Sequence, residues 1–421
     1  MKVHSWSGSE NASTYYRQEV PFKTAQKLGL IDWDRSEWPS SGDASAWTVL
    51  MVETMKHTDV FHNYSSMNQA IDQMIQMSQN GRKRGEKAPL FLYDCDDNTR
   101  DVNPLNPVFE TLGTRGIDGK PLRKGGQVII PMPGQEPVTL WKDGRDGFDV
   151  KRNQLGLAAC EKIMRTSDGV TVSTPRLQKF WEKALGLKNM YVFPNSIVES
   201  DWPKVETVKH MGTVRVLWQG GNAHYPDWWE IREGVAECVK RFPEVVWVIW
   251  GEKFGWIHDL IPKDKLEFHN WVPYAAYRYK LATLDFDFAL APLIPNRFNA
   301  CKSAIKWYEA AMMNKPTLVS RTPPYSDEII EGETALAYRT HQEFVDGFEV
   351  MVRDSKLRNT LAQNTRDWIA THRAAEKTVP NYIEWINETK EKVENEKPRS
   401  KKRYSKSKRS SSVRNVSKSV A

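Results

Sequence analysis

The chain has 421 residues, of which 40% are hydrophobic, and this is enough for two or three domains with a large core. It contains no run of 18 or more apolar residues and no apolar leader, which argues against a membrane-spanning helix and against a secretory signal. The four cysteines lie far apart and form no CxxC pair, so the sequence predicts neither a disulfide framework nor a zinc site and favours a cytoplasmic protein.

The formal net charge of +7 is concentrated at the end of the chain. Residues 397–421 contain ten Lys or Arg and no Asp or Glu, so residues 1–396 carry a net charge of about −3. Because this tail has few apolar residues, we expect it to be disordered. An anionic membrane surface or DNA would bind there, although a solubilising extension without a partner has the same composition.

The first half of the chain predicts alternating strands and helices. Residues 88–93 form an apolar run that indicates a buried strand, with acidic residues at its carboxyl end. Residues 102–150 are rich in Gly, Pro and Asp, which indicates an irregular excursion. The elements predicted after it are a helix over about 153–165, a strand over 170–174, a helix from Pro175 to Leu185, and a strand and turn over 190–195.

A second alternation follows a polar segment at about 205–211, which is typical of a linker. The elements predicted in it are strands over 214–218, 245–250, 284–290 and 316–320, and helices over 229–241 and 303–313. Residues 341–395 have a helical pattern throughout, and we expect Pro380 to interrupt it.

Strands that alternate with helices indicate parallel sheets covered on both faces. The pattern therefore predicts an α/β protein in which two domains, residues 1–205 and 206–340, face a central cleft. Helices over 341–396 would pack across both domains, and the disordered basic tail would follow them.

The segment from 291 to 320 carries the strongest functional pattern. Lys302 and Ser303 lie where a helix is predicted to begin, and the free N–H groups of a helix N-terminus bind phosphate well. Lys306 and Glu309 are three residues apart and share one helical face, where the carboxylate can accept both hydroxyls of a ribose. The pattern suits a nucleoside diphosphate, but an amphipathic helix with a surface ion pair has the same spacing, which alone does not decide between them.

This segment resembles the nucleotide-sugar motif of retaining GT-B glycosyltransferases similar to glycosyltransferase family 4, and more narrowly that of a bacterial and phage subgroup. The subgroup pattern N-x-FN-x-x-KS-x-x-K-x-x-E corresponds here to Asn296, Phe298, Asn299, Lys302, Ser303, Lys306 and Glu309. The resemblance implies a GT-B fold of two Rossmann-like domains, with Glu309 as the ribose ligand. The first glutamate of the family's pair is replaced by Cys301, so Asn299 or backbone amides near it are the candidates to contact the donor sugar.

Residues 218–227 resemble the subgroup's turn after the first strand of the C-terminal domain. Gly220 and Gly221 would let the backbone approach a diphosphate closely, whereas a simple strand–helix turn capped by Asp227 explains the same residues. Residues 271–274 resemble the segment whose backbone binds the base of the nucleotide. A loop that packs aromatic side chains explains the same residues nearly as well.

In the first half, residues 93–97 and 103–107 resemble the D-x-DD and NP pattern of the subgroup, and residues 13–21 resemble its first loop. The resemblance places four of these residues on the acceptor side of the cleft: Tyr16, Arg17, Asp94 and Asp97.

The pair Asp94 and Asp96 also fits the D-x-D motif with which GT-A glycosyltransferases hold a divalent metal. That fold leaves the pattern from Lys302 to Glu309 unexplained. We therefore expect no metal and no other cofactor, because Lys302 and the helix N-terminus supply the positive charge that the metal would give.

The implied reaction moves a sugar from a nucleoside diphosphate to an acceptor hydroxyl, and retention of configuration is implied by the resemblance alone. Charge that develops on the leaving diphosphate requires fixed positive groups. We assign that role to Lys302, Ser303, Gly221 and Arg17. His224 and Asp96 are the candidate catalytic residues, although a structural histidine and a capping aspartate explain them as well.

Three functions fit these features. The first is transfer to a glycan or a lipid-linked glycan, and the second is a phage-type enzyme that glycosylates modified DNA bases. The third is a catalytically inactive GT-B protein that only binds its ligands. The presence of Lys302, Ser303 and Glu309 argues against the third function. Of the first two we prefer the glycan acceptor, because it is the commoner.

Overall fold

The computed structural model describes residues 1–6, 10–36, 49–53, 64–130, 136–205 and 212–395, so the basic tail and most of the predicted linker lie outside the described residues. The strands within these ranges are β1 Lys2–Trp6, β2 Asp32–Ser36, β3 Val49–Glu53, β4 Leu90–Cys95, β5 Gln127–Ile130, β6 Val138–Lys142, β7 Gly169–Val172, β8 Met190–Val192, β9 Val214–Gly220, β10 Val245–Gly251, β11 Leu266–His269, β12 Phe288–Ala291, β13 Thr317–Ser320 and β14 Leu336–Tyr338.

The helices alternate with these strands, and a π-helical turn, Tyr15–Glu19, joins the first two. They are α1 Ala12–Thr14, α2 Val20–Lys27, α3 Tyr64–Lys83, α4 Phe109–Leu112, α5 Val150–Thr166, α6 Pro175–Leu185, α7 Tyr225–Glu230, α8 Arg232–Arg241, α9 Gly255–Leu260, α10 Tyr274–Thr283, α11 Ile305–Met312, α12 Tyr325–Glu328, α13 His341–Arg353, α14 Ser355–His372 and α15 Ala375–Asn395.

Two six-stranded parallel sheets organise the chain. The first has the strand order β2-β1-β3-β4-β7-β8, and the second has the order β11-β10-β9-β12-β13-β14. Strands β4 and β12 are buried along their whole length, which explains their continuous apolar runs. The predicted α/β architecture with two parallel sheets is thus confirmed, and in each sheet the carboxyl ends of the strands lie along one edge, where α/β proteins bind ligands.

The buried strand expected at 88–93 is β4, and Asp94 lies at its carboxyl end with its carboxylate paired in the interior. The break expected in the C-terminal helices was misplaced. Pro380 does not interrupt the last helix but lies inside α15. The helical region breaks instead at Asp354, whose side chain caps α14, and at Ala374, which forms a β-bridge with Ile197 of the first domain.

The segment 102–150, expected to be irregular, contains regular elements. It contains α4 and the antiparallel hairpin β5–β6. Its own small core is formed by Val102, Phe109, Val128, Phe148 and Val150, and Phe298 of the second domain packs into the same cluster. This segment therefore packs against both domains beside the cleft.

The C-terminal helices return the chain to the first domain. Helix α13 packs on α8, α14 packs on α11, and α15 packs on α2. The ring of Tyr382 in α15 stacks on Phe193 with a centroid distance of 4.6 Å and on Phe22 at 6.0 Å. In the described residues no helix combines the length and the apolar character that a membrane span would need.

Candidate active site

A cleft of about 390 Å³ lies between the two domains, at the carboxyl edge of the second sheet. The first domain lines it with Asp96, Asp97, Asn195 and the start of α1, and the second domain lines it mainly with three segments, to which Tyr277, Leu293 and Tyr325 are added. The three segments are the turn after β9, the segment at 271–274 and the start of α11. The cleft therefore brings together most of the residues that the sequence singled out, although they are distant along the chain.

The turn after β9 needs glycine for steric reasons. A Cβ atom on Gly220 would lie 3.1 Å from each of His224 Cδ2, Lys306 Nζ and Trp218 Cζ2. Gly251, at the end of the adjacent strand, has φ +121°, and a Cβ there would lie 2.4 Å from the Gly220 carbonyl oxygen. The backbone of Gly220 and Gly221 thus lines the cleft with no side chain in front of it.

Two lysines from one segment supply positive charge to the cleft. Lys306 donates from Nζ to the Gln219 carbonyl oxygen at 2.7 Å, and burial lowers its pKa to about 8. Lys302 lies 3.6 Å from the Asp97 carboxylate across the cleft and 4.4 Å from the centre of the Phe298 ring. The helix begins at Ile305, slightly later than expected, and no side chain caps it. Its first N–H groups therefore lie beside the lysines, an arrangement that favours an anion.

Glu309 lies at the bottom of the cleft, only 3% exposed. Its carboxylate accepts hydrogen bonds from the Tyr16 hydroxyl at 3.0 Å, the Tyr277 hydroxyl at 2.6 Å and the Gln219 amide at 3.3 Å. Tyr16 belongs to the first domain, so this hydrogen bond joins the two domains. A ribose that binds Glu309 would have to use the remaining acceptor capacity or replace one of these donors.

Burial raises the pKa of Glu309 to about 7, although the hydroxyl groups of Tyr277 and Tyr16 act in the opposite direction. Between pH 4.5 and 7 the folded protein binds more protons at this group than the unfolded chain, so the free energy of unfolding falls as the pH rises through that window. We expect Glu309→Gln to remove this dependence, which amounts to about 3 kcal/mol.

Urea denaturation of the wild type and of Glu309→Gln at a series of pH values measures this effect. Glutamine is the suitable replacement because alanine would leave the Tyr16 and Tyr277 hydroxyls without their acceptor. The difference between the two curves isolates Glu309 from all other titrating groups. Parallel curves between pH 4.5 and 7 would show that the Glu309 carboxylate is not perturbed.

His224 and Asn299 are connected through Asp227. The Asp227 carboxylate lies 2.8 Å from His224 Nδ1 and accepts from the Asn299 amide and the Ile294 N–H at 2.9 Å each. Burial lowers the pKa of His224 to about 4, so the imidazole is neutral at pH 7. With Nδ1–H donated to Asp227, the lone pair of Nε2 stays available to a hydroxyl group.

Asn299 itself is 5% exposed and does not line the cleft. Both hydrogen bonds of its amide nitrogen go to the protein, to Asp227 and to the Ile294 carbonyl oxygen. The structure thus gives Asn299 a supporting place behind His224, and it does not favour the direct donor contact that the sequence suggested.

The opposite wall carries two acidic residues and meets the second domain directly. Asp96 accepts a hydrogen bond from the Ser13 hydroxyl, and Asp97 pairs with Lys302. The Asn195 amide donates to the Ser303 hydroxyl at 2.8 Å. Ser303 is therefore held from the first domain, so both domains are needed to assemble this side of the cleft.

Arg17 and Asp94 are not part of the cleft, in contrast to the expectation. They form a salt bridge of 2.7 Å in which each side chain is 1% exposed. Arg17 also donates to the Phe193 carbonyl oxygen and to the Asn195 side chain at 3.1 Å. The guanidinium is thus fully engaged inside the first domain by Asp94, Phe193 and Asn195. Neither residue is available to a phosphate or to a metal.

Sequence reasoning missed two residues of the site. Gln219 and Tyr277 both donate hydrogen bonds to the Glu309 carboxylate. The Tyr277 hydroxyl also lies 2.9 Å from Gln219 Oε1 and donates to it. Gln219 follows the apolar part of β9 and points inward, which the strand pattern signals, but α10 around Tyr277 carries no functional pattern. Trp271, in the predicted base-binding segment, lines the cleft with 46% of its surface exposed.

Comparison with known proteins supports this arrangement. Residues 232–380 match a family model described as glycosyl transferase-like, and no curated protein sequence is similar to the chain. The sucrose-phosphate synthase of Thermosynechococcus elongatus superposes over 92% of this chain and 99% of its own, with a TM-score of 0.57 and 9% identity. The Anabaena protein HepE, solved in complex with UDP, superposes over 92% of this chain and 100% of its own, with a TM-score of 0.54 and 10% identity.

A third solved structure, TarM, is longer. The chain spans 54% of its length, 80% of this chain is covered, the identity is 11% and the TM-score is 0.49. At such low identities it is the fold that the full-length superpositions establish. The chain therefore has the GT-B fold, with two Rossmann-like domains that face a central cleft, and its residues 232–380 match a glycosyl transferase-like family.

Proposed function

We propose that this protein is a glycosyltransferase that moves a sugar from a nucleoside-diphosphate sugar to an acceptor hydroxyl. The observation that carries the proposal is the convergence of Gly220, Lys302 and Lys306 with the uncapped start of α11 on one side of the cleft. Backbone N–H groups and two cations there would bind the diphosphate and stabilise the charge that develops on it as the sugar leaves.

The other walls suit the remaining parts of such a donor. Trp271 presents an exposed indole on which a base can stack, and Glu309 offers a carboxylate to the ribose hydroxyls. The imidazole of His224 is neutral and its Nδ1 is engaged by Asp227, so we assign Nε2 the role of accepting a hydrogen bond from the donor sugar. Asp96 then remains the candidate to receive the proton of the acceptor hydroxyl.

We propose that the configuration of the sugar is retained and that the acceptor is a glycan or a lipid-linked glycan. The support is the resemblance of the segment from Asn296 to Glu309 to retaining enzymes, together with the two-domain cleft. Proton NMR of the product formed from UDP-glucose distinguishes the outcomes. An α-linked product is expected, and a β-linked product would establish inversion.

Nucleotide binding is the direct test of the donor site. We expect UDP to bind, with equal affinity in the presence and absence of EDTA, because Lys302 and Lys306 supply the charge that a metal would give. Calorimetry with UDP, GDP and ADP measures this, and UDP is the first choice because HepE, which has the same fold, was solved with it. Loss of binding in EDTA would show that a metal is required, and no binding of any nucleotide would contradict the proposed function.

A further inference from the structure

A second cavity, of about 460 Å³, lies along the edge of the second sheet on which the cleft lies. Its lining includes Ser320 and Tyr338, which end β13 and β14, and Pro292, which follows β12. It is therefore built on the carboxyl ends of parallel strands, where ligands of α/β proteins bind.

The second cavity adjoins the cleft. Leu293 lines both spaces, and Asp227, which lines the second cavity, is paired with His224, which lines the cleft. The Asp227 carboxylate is already engaged by His224, Asn299 and the Ile294 N–H, and its charge is thus compensated within the wall. A molecule bound in the second cavity could extend past Leu293 toward the site in which the donor sugar would lie.

Three arginines face this space, and we call it the arginine cavity after Arg176, Arg321 and Arg339. Arg176 comes from α6 of the first domain, and the other two come from the second domain, so the arginine cavity spans the domain interface. Among the described residues no side chain pairs with the guanidinium of Arg339. The Nε–H of Arg321 is buried, and no residue that the structure describes accepts a hydrogen bond from it.

The existing ion pairs of the other two arginines are exposed. Arg176 donates to Asp327 at 2.7 Å, and Arg321 donates to Glu331 at 2.6 Å and lies 3.8 Å from Glu343. Exposed pairs like those of Arg321 contribute little to stability, so this guanidinium can exchange a carboxylate partner for a ligand, whereas Arg176 donates to both oxygens of Asp327. Glu230, also in the lining, is exposed and lies at the rim.

We propose that the arginine cavity binds an anionic group of the acceptor, a phosphate or a carboxylate, and thereby holds the acceptor hydroxyl next to the donor cleft. A guanidinium group binds either anion through two parallel hydrogen bonds, and two or three such groups around one space favour a doubly charged ligand. That the anion belongs to the acceptor rests on the proposed function, whereas the anion site itself rests on the geometry of the three arginines.

Two small anions test the proposal on the full chain. Glycerol 1-phosphate and glucuronate are titrated separately into protein saturated with UDP, and the heat of binding is measured. We expect at least one of them to bind, and Arg339→Gln and Arg321→Gln each to weaken that binding about tenfold, the effect of one lost charge-assisted hydrogen bond. The anion that binds more tightly identifies the group. Arg353→Gln, an exposed arginine paired with Glu244 outside both cavities, is the matched control and should change nothing.

The UDP affinity of each variant, read in the same experiment, shows whether the protein is folded. Failure of both anions to bind to the UDP-saturated wild type, or equal affinity in Arg339→Gln, would overturn the proposal and leave the proposed function intact. The same titrations are repeated without UDP. Anion binding that is sensitive to Arg339→Gln in a protein that does not bind UDP would uphold the anion site and count against the proposed function.

Discussion

Alanine in place of Lys306 is expected to weaken UDP binding by about 10- to 100-fold, the effect of losing a hydrogen bond to a charged group in a partly buried site. Lys306 Nζ donates to the Gln219 carbonyl oxygen beside Gly220, so the ammonium lies against the turn that would receive the diphosphate. Calorimetric titration of UDP at pH 7 measures the change. Lys240→Ala, an exposed lysine of the same domain, should bind UDP as the wild type does.

The same residue gives UDP affinity a pH dependence of defined sign. Because burial lowers the pKa of Lys306 to about 8, the free protein loses this cation above pH 8 and must take up a proton when the diphosphate binds. We expect affinity to fall by up to about tenfold for each pH unit above that value, whereas the diphosphate group of UDP is already fully ionised there, since phosphate has a second pKa of about 6.

Two variants isolate this effect. Lys306→Arg keeps the charge at every pH, so its affinity should be almost independent of pH between 7.5 and 9. Lys306→Ala should be independent of pH as well, but weak throughout. A wild-type affinity that stays constant across the range would show that Lys306 does not contact the diphosphate, and the charge of the site would then rest on Lys302.

Replacement of Arg17 by alanine should lower the free energy of unfolding by about 3–5 kcal/mol, the usual effect of removing one partner of a buried ion pair. The substitution leaves the Asp94 carboxylate in the interior with the Thr171 hydroxyl but without its cation. Urea denaturation measures the loss. The double variant Arg17→Ala/Asp94→Ala should be less unstable than the single one, because it removes the uncompensated charge as well.

This experiment also separates a structural from a functional Arg17. Since Arg17 does not line the cleft, the variant that is still folded at low temperature should bind UDP with wild-type affinity. Arg84→Ala, which removes an exposed arginine paired with Glu86, is the control and should leave the denaturation midpoint unchanged. Weak UDP binding by a folded Arg17→Ala protein would restore the role in the acceptor and phosphate site that the sequence suggested.

Several parts of the molecule followed from local pattern alone. The apolar runs that became β4, β9 and β10 indicated buried strands, and Pro175 marked the start of α6 correctly. A buried strand is apolar along its length whichever strands it pairs with. Its sequence can therefore be recognised without knowing its neighbours in the sheet. By contrast, β2, with the polar sequence DWDRS, lies at the edge of its sheet and gave no such pattern.

What the sequence by itself determined, then, was the alternation of strands and helices and the cationic segment from Lys302 to Lys306, since both depend on residues that are close in the chain. Only the tertiary structure decided which side chains meet. Tyr16 and Glu309 are 293 residues apart, and Arg17, the next residue, points into the core of its own domain. Tyr16 contacts the second domain and Arg17 contacts its own, and no pattern of residue types encodes that choice because the partners are brought together only by the folded sheet and by the packing of the two domains.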